Sequence, residues 1–208
     1  MKNYSIFAIR QIRKDSLYTV VYEDAFDKYE NNEFEETERK KKNEFNRIFN
    51  NWNDIEYLEA FFEENKTDLQ KEFYHYISIE DAIKITLDEA EKLERTLKDI
   101  AEKGETDRYE NLQTLFKPLN KSDETKYPIP EYQESKLYGK RHKSWLRVYA
   151  LRINENLFFV TGGAIKLTET MNEREHLLNE LEKLNIIKKF LIDNEIIDTD
   201  SLIEFIEL

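Results

Sequence analysis

The spacing of apolar side chains predicts two pairs of β-strands in this sequence. Residues 4–12 and 17–22 flank a short polar turn, and the second segment is rich in the β-branched and aromatic residues that favour strands. Residues 145–153 and 157–168 repeat this arrangement around an Asn-Glu-Asn turn. The Gly162-Gly163 pair inside the last strand predicts a bulge or a close approach of another group. The early hairpin is expected at one edge of a sheet.

Other apolar residues recur every three or four positions, which predicts helices. The longest such pattern follows Ser78, which resembles a capping box with Asp81, and ends at Gly104. Residues 24–42 carry opposite charges four positions apart, which supports an exposed helix. Further helices are predicted at 45–52, 54–65, 172–191 and 201–208, with Asn53 and Asn172 as the N-caps of the second and third of these. The sequence is therefore predicted to be α+β, with a helix-rich N-terminal half.

Composition narrows the class of protein. The 208 residues include 27 aromatic side chains but no cysteine, so a sizeable core is available while disulfides, thiol catalysis and thiolate metal sites are excluded. Neither a signal peptide nor an apolar run long enough to span a membrane is recognisable. We expect a cytoplasmic protein of bacterial type. It is expected to form one domain, with a hairpin and helices in residues 1–110, a sheet core and helix in 111–191, and a short final helix in 192–208.

The charge distribution directs attention to one stretch, residues 135–154, which we call the basic island. It contains six Lys or Arg residues and no acidic residue, although the whole chain has a net charge of −12. An acidic protein does not present the wide cationic field that non-specific nucleic-acid binding requires. A local contact through the basic island remains compatible with this charge. The six cations are Lys136, Lys140, Arg141, Lys143, Arg147 and Arg152.

Three short motifs in and around the basic island carry a family resemblance. They are Leu-Phe-Lys-Pro-Leu at 115–119, Leu-Arg-Val-Tyr at 146–149 and Ala-Ile-Lys-Leu-Thr at 164–168. Their order, with a polar loop before the strands and a helix after them, resembles the RelE/HigB-like toxins of bacterial toxin–antitoxin modules. The resemblance covers residues 112–184, about a third of the chain.

This resemblance implies a small twisted antiparallel sheet packed on several helices. It implies that the protein is an endoribonuclease that cleaves messenger RNA, often on the ribosome, and that a cognate helix-turn-helix antitoxin neutralises it. Arg147 and Lys166 occupy the positions that matter for RNA binding and catalysis in similar toxins. The chain departs from the family in its greater length, its acidity, and the Ala-Ile pair where a Phe normally precedes the lysine.

RNA cleavage by a ribose 2′-OH requires a base, an acid, and a cation that stabilises the charge developing on the phosphate. Arg147 suits the last role because it is permanently charged and can form two parallel hydrogen bonds. Lys166 and Lys143 can act as point charges, and the near-neutral pKa of a histidine suits His142 to proton transfer. Tyr149 shares a strand face with Arg147 and can stack a base or orient the phosphate. No cofactor and no metal site is predicted.

The catalytic candidates are therefore Arg147, Lys166, Tyr149 and His142. The RNA-binding candidates are Lys136, Lys140, Arg141, Lys143 and Arg152. Simpler interpretations remain for the catalytic candidates: Arg147 as the partner of a carboxylate on a neighbouring helix, Lys166 as a solvated lysine at a strand end, His142 as an exposed histidine, and Tyr149 as a core residue. The alternative function is a non-enzymatic interaction protein whose basic hairpin docks an acidic partner.

Overall fold

A computed structural model describes residues 5–23, 43–74, 76–107, 109–125, 129, 131–141 and 143–207. Within these ranges, a six-stranded sheet lies between two layers of helices. The strands are β1 (Ser5–Arg13), β2 (Leu17–Glu23), β3 (Lys117–Pro118), β4 (Gln133–Tyr138), β5 (Leu146–Arg152) and β6 (Phe158–Ile165). The helices are α1 (Glu44–Trp52), α2 (Ile55–Glu64), α3 (Lys66–Leu69), α4 (Ile79–Lys103), α5 (Leu112–Leu115), α6 (Glu175–Asp193) and α7 (Thr199–Glu207). The predicted α+β class is confirmed, and the helix predicted at 24–42 lies outside the described residues.

The sheet has the order β1-β2-β6-β5-β4-β3, with β1 at one edge as expected. All neighbouring pairs are antiparallel except β2 and β6, which run parallel through three residues beginning at the Leu17–Phe158 pair. The sheet is therefore mixed, which corrects the expected antiparallel sheet. The long connection between β2 and β6 carries α1, α2 and α4, and a parallel pair requires such a crossover.

The two faces of the sheet are covered by different parts of the chain. One core cluster joins the inward side chains of α1, α2 and α4 to Leu146, Val148 and Ala150 of β5. The other joins α6 and α7 to Tyr149 and Leu151. The predicted alternation of β5 is thus confirmed within the strand. Trp145 immediately precedes the strand and belongs to the first cluster, since its indole Nε1 donates to Thr86 of α4 at 2.9 Å.

Two predicted helix starts differ from the structure. Asn53 ends α1, and Asp54 is the N-cap of α2 because its carboxylate accepts a hydrogen bond from the Tyr57 amide. Asn172, the other predicted N-cap, lies inside a short 3-10 turn over Met171–Glu173 that precedes α6. Thr170 and Glu173 form the capping box of this turn. The 25-residue helix α4 begins after Ser78 and ends at Gly104, as predicted.

The glycine pair in β6 occupies a crowded site. The β5–β6 register slips next to the Tyr149–Gly162 pair, which is the predicted bulge. A Cβ atom on Gly162 would lie 1.8 Å from Oε2 of Glu180, so α6 approaches the sheet closely there. None of the helices in the described ranges is long and apolar enough to cross a membrane.

Candidate functional site

A cavity of about 790 Å³ opens between β4, β5 and the loop that leads from β6 into α6. We call it the cationic pocket. Its wall also includes Leu119 and Asn120 after β3, and Phe73 and Tyr74 before α4. The charged side chains that line it are Lys71, Lys136, Lys143, Arg147, Lys166, Glu169 and Glu173. Five cations thus meet two carboxylates, the reverse of the charge balance of the whole protein.

Arg147 lies at the centre of this pocket because β4 and β5 pair in a register that sets it opposite Tyr138. Its guanidinium carbon lies 4.1 Å from the centre of the Tyr138 ring, a cation–π contact. One terminal nitrogen, Nη1, donates to the backbone carbonyls of Ser144 and Leu146, both at 2.7 Å. Among the described residues, Arg147 forms no ion pair with a carboxylate, and its charge is thus available to an anionic ligand.

Two lysines flank Arg147 within the pocket. Lys136 donates from Nζ to the Leu119 carbonyl at 2.7 Å. Lys166 donates to the carbonyls of Thr168 and Glu169, each at 2.5 Å, which fixes its ammonium group at the end of β6. Burial and the positive charges of Arg147 and Lys136 hold the pKa of Lys166 below its ordinary value. A lysine whose pKa is lowered by burial and by neighbouring cations lies in a site suited to a bound anion.

Tyr149 forms the floor of the pocket rather than its wall. The side chain is 1% exposed, and its hydroxyl has no hydrogen-bond partner among the described residues. Burial and the nearby Glu180 carboxyl raise the pKa of Tyr149. A ring buried to this extent cannot stack on a nucleotide base, so the geometry gives Tyr149 a packing role beneath Arg147.

No protein-family model matches the chain, and no curated protein or solved structure is significantly similar to it. The resemblance to RelE/HigB-like toxins therefore rests on the three short motifs. Two of them, those at 146–149 and 164–168, contribute Arg147 and Lys166 to the cationic pocket, and Leu119 of the third lies in its wall.

The other RNA-binding candidates lie in different parts of the structure. Lys143 lines the pocket, donates to the Phe73 carbonyl at 3.1 Å and lies 4.6 Å from the centre of the Phe73 ring. Lys140 and Arg141 line a smaller cavity of about 290 Å³ beside α4. At the far end of β5, Arg152 donates from Nε and Nη2 to Oε1 of Gln113 at 3.0 and 2.7 Å, outside the cationic pocket. His142 lies outside the described residues.

Tyr138 is the aromatic residue that the sequence-based interpretation missed. It is 36% exposed, it lines the pocket and its ring contacts the Arg147 guanidinium. The sequence signal that could have identified Tyr138 is the alternation of side chains in residues 135–138. Ser135 and Leu137 are buried, while Lys136 and Tyr138 face the pocket. In the described ranges, no group of three or more His, Asp or Glu side chains is arranged to hold a metal ion.

Proposed function

We propose that the cationic pocket binds single-stranded RNA, and that the protein is an RNA-cleaving toxin of the RelE/HigB-like type. One observation carries this proposal. Arg147 of β5, Lys136 of β4 and Lys166, the residue that follows β6, converge on one cavity of an acidic protein beside the exposed Tyr138. The volume lies within the roughly 300–1,000 Å³ typical of small-ligand sites, so a nucleotide fits and a duplex does not.

Each part of a nucleotide has a complementary group in the pocket. The two remaining guanidinium nitrogens of Arg147 can donate to phosphate oxygens, because its backbone contacts use only Nη1. The Tyr138 ring offers a face to a base, and stacking of this kind tolerates any base. Lys136 adds positive charge beside the phosphate, and Lys166 presents its amine to the same cavity.

The proposed reaction requires no redox partner. The ribose 2′-oxygen attacks the adjacent phosphorus, a 2′-O–P bond forms, and the bond to the 5′-oxygen of the next nucleotide breaks. Lys166 in its neutral form takes the 2′-hydroxyl proton, which its lowered pKa favours. A protonated lysine of the pocket, Lys136 or Lys143, returns a proton to the leaving 5′-oxygen. Arg147 stabilises the charge on the phosphate throughout. The products are a 2′,3′-cyclic phosphate and a 5′-hydroxyl.

The partner in this proposal is an antitoxin that neutralises the protein by occluding the pocket. Its helix-turn-helix character is an expectation from the family resemblance. If occlusion is the mechanism, the antitoxin and a short RNA compete for the same protein, so saturating antitoxin releases bound RNA.

The first test compares two arginines of the same strand. Fluorescence anisotropy measures the affinity of wild type, Arg147→Ala and Arg152→Ala for a labelled single-stranded RNA, and circular dichroism checks that each variant folds. Arg147→Ala removes charge-assisted hydrogen bonds worth about 1.5–3 kcal/mol, so we expect binding to weaken by roughly 10- to 150-fold. Arg152 has its partner in Gln113 and lies outside the pocket, so Arg152→Ala should bind as the wild type does.

Equal affinity of the folded Arg147→Ala variant and the wild type would contradict the proposal. That result, together with tight binding of an acidic peptide that survives loss of Arg147, would instead support a docking module. In such a module several rim charges each contribute little, so removal of one is tolerated.

A further inference from the structure

The loop between β4 and β5 is fastened to helix α4 by one buried carboxylate. Glu89 is 6% exposed and lies in the middle of α4. Its Oε1 accepts a hydrogen bond from the Arg141 backbone amide at 2.8 Å, and its Oε2 accepts one from the Ser144 hydroxyl at 3.0 Å. Two donors therefore meet the two oxygens of a single carboxylate, a match that a glutamine, with one acceptor oxygen, does not reproduce.

This contact continues to Arg147. The Ser144 hydroxyl that donates to Glu89 also accepts from the Leu146 amide at 3.2 Å, which fixes the start of β5. The Ser144 carbonyl accepts from Nη1 of Arg147 at 2.7 Å. A line of hydrogen bonds thus runs from α4 through Ser144 to the guanidinium at the centre of the cationic pocket.

The loop has little freedom to take another path. A Cβ atom on Gly139 would lie 2.2 Å from the Ser144 hydroxyl oxygen and 2.7 Å from Oε1 of Glu89, so only glycine fits beside the carboxylate. Lys143 adopts a left-handed backbone conformation with φ of 63°, which is costly for a residue with a side chain and persists only where surrounding contacts hold it. These features indicate that the Glu89 contact sets the loop conformation.

We propose that Glu89 is a positioning residue for the cationic pocket. By holding Ser144 in place it directs the Arg147 guanidinium toward the bound phosphate, and it makes α4, which lies outside the motifs of the family resemblance, a necessary part of the site. The inference rests on the proposed RNA-binding function. It assigns a specific role to the N-terminal helical part of the chain.

A double-mutant cycle distinguishes positioning from a general structural role. RNA affinity is measured for wild type, Glu89→Gln, Arg147→Ala and the double variant, with Glu91→Gln as the control. Glu91 is exposed on the same helix and pairs with Arg95, so its substitution should leave binding unchanged. We expect Glu89→Gln to weaken binding by about 3- to 10-fold, within the range for coupled residues of one network. In the Arg147→Ala background it should have no further effect.

Ser144→Ala provides a second variant in case Glu89→Gln folds poorly. It removes the hydroxyl link but keeps the carbonyl, so we expect weaker RNA binding in the wild-type background and no further loss beside Arg147→Ala.

Hydrogen exchange at the Arg141 amide should accelerate in Glu89→Gln and remain slow in Glu91→Gln. Unchanged affinity of folded Glu89→Gln, or an equal loss in both Arg147 backgrounds, would overturn the positioning role. If Arg147→Ala itself binds RNA normally, the proposed function fails instead.

Discussion

At the scale of single residues, Lys166 has the environment expected of a catalytic base. Its amine donates to two backbone carbonyls, and burial together with Arg147 and Lys136 favours the neutral form. The pKa of Lys166 is consequently lower than the ordinary lysine value of 10.5. At a given pH below that value, more of this lysine is unprotonated than of an exposed one.

This environment predicts the pH dependence of RNA cleavage. Because the base acts in its unprotonated form, the rate should rise with pH through the pKa of Lys166, with a midpoint below 10.5. Lys166→Arg should lose the rising limb, since an arginine stays protonated over this range. The measurement is the initial rate of cleavage of a labelled RNA, corrected at each pH for RNA incubated without protein. A rising limb that persists in Lys166→Arg would assign the base to another group.

The sequence predicted the site residues unevenly, for physical reasons. Arg147 and Lys166 stand in recognisable motifs, so the chain alone identifies both as candidates, and the structure places both in the lining of the cationic pocket. Tyr138 and Glu89 could not be identified in the same way. Tyr138 gains its role from cross-strand pairing with Arg147, and Glu89 gains its role from contacts with residues more than 50 positions away. The contacts of Glu89 leave no local signal, whereas the alternation in residues 135–138 was a local signal for Tyr138.

At the scale of elements, α6 buries charge as well as apolar surface. Lys183 donates to Oε2 of Glu44 and to Oε1 of Glu180, both at 2.9 Å, and all three side chains are almost fully buried. Burial raises the pKa of the Glu180 carboxyl, whose Oε2 has no hydrogen-bond partner among the described residues. The apolar spacing in residues 172–191 predicted the helix, but it did not predict that Glu180 and Lys183 are buried.

Loss of Lys183 should therefore destabilise the fold strongly. Lys183→Met leaves Glu44 and Glu180 buried with only the partly exposed Arg47 as a shared cation among the described residues, which is expected to cost about 3–5 kcal/mol. Urea unfolding followed by circular dichroism measures the change, with Lys189→Met as the control because Lys189 is exposed on the same helix. Replacing the pair together, as Glu180→Leu with Lys183→Met, should cost less than Lys183→Met alone. A loss below about 1 kcal/mol in Lys183→Met would show that the buried pair is not a stabilising unit.

The strand β4 shows why the elements were only partly predicted. No strand was predicted at residues 133–138, yet Ser135 and Leu137 are buried and the strand pairs fully with β5. The parallel pairing of β2 with β6 was also missed, because residues 17 and 158 are far apart in sequence and are separated by several helices and by β3, β4 and β5. A local sequence pattern can predict where a strand lies, but it does not predict which strand is its neighbour in the sheet.

At the scale of the whole molecule, a net charge of −12 predicts that the proposed RNA contact is confined to the cationic pocket. A protein with a wide basic face contacts many phosphates, whereas this pocket accommodates few. The logarithm of the RNA association constant should thus fall with the logarithm of the salt concentration at a shallow slope of about −1.4 to −2.1. This slope assumes about 0.7 for each phosphate contacted and roughly two to three such contacts. Anisotropy titrations across a salt series measure the slope, and a value steeper than about −4 would indicate a broad electrostatic surface instead.

The most direct test of the toxin proposal is growth of bacterial cells after induction of this chain alone. Three matched cultures express the wild type, Arg147→Ala and Arg152→Ala at equal soluble levels. We predict that the wild type and Arg152→Ala arrest growth, with messenger RNA fragments appearing before the arrest, and that Arg147→Ala grows normally. Normal growth with well-expressed wild type, or arrest that persists in Arg147→Ala, would contradict the assignment of RNA cleavage to the cationic pocket.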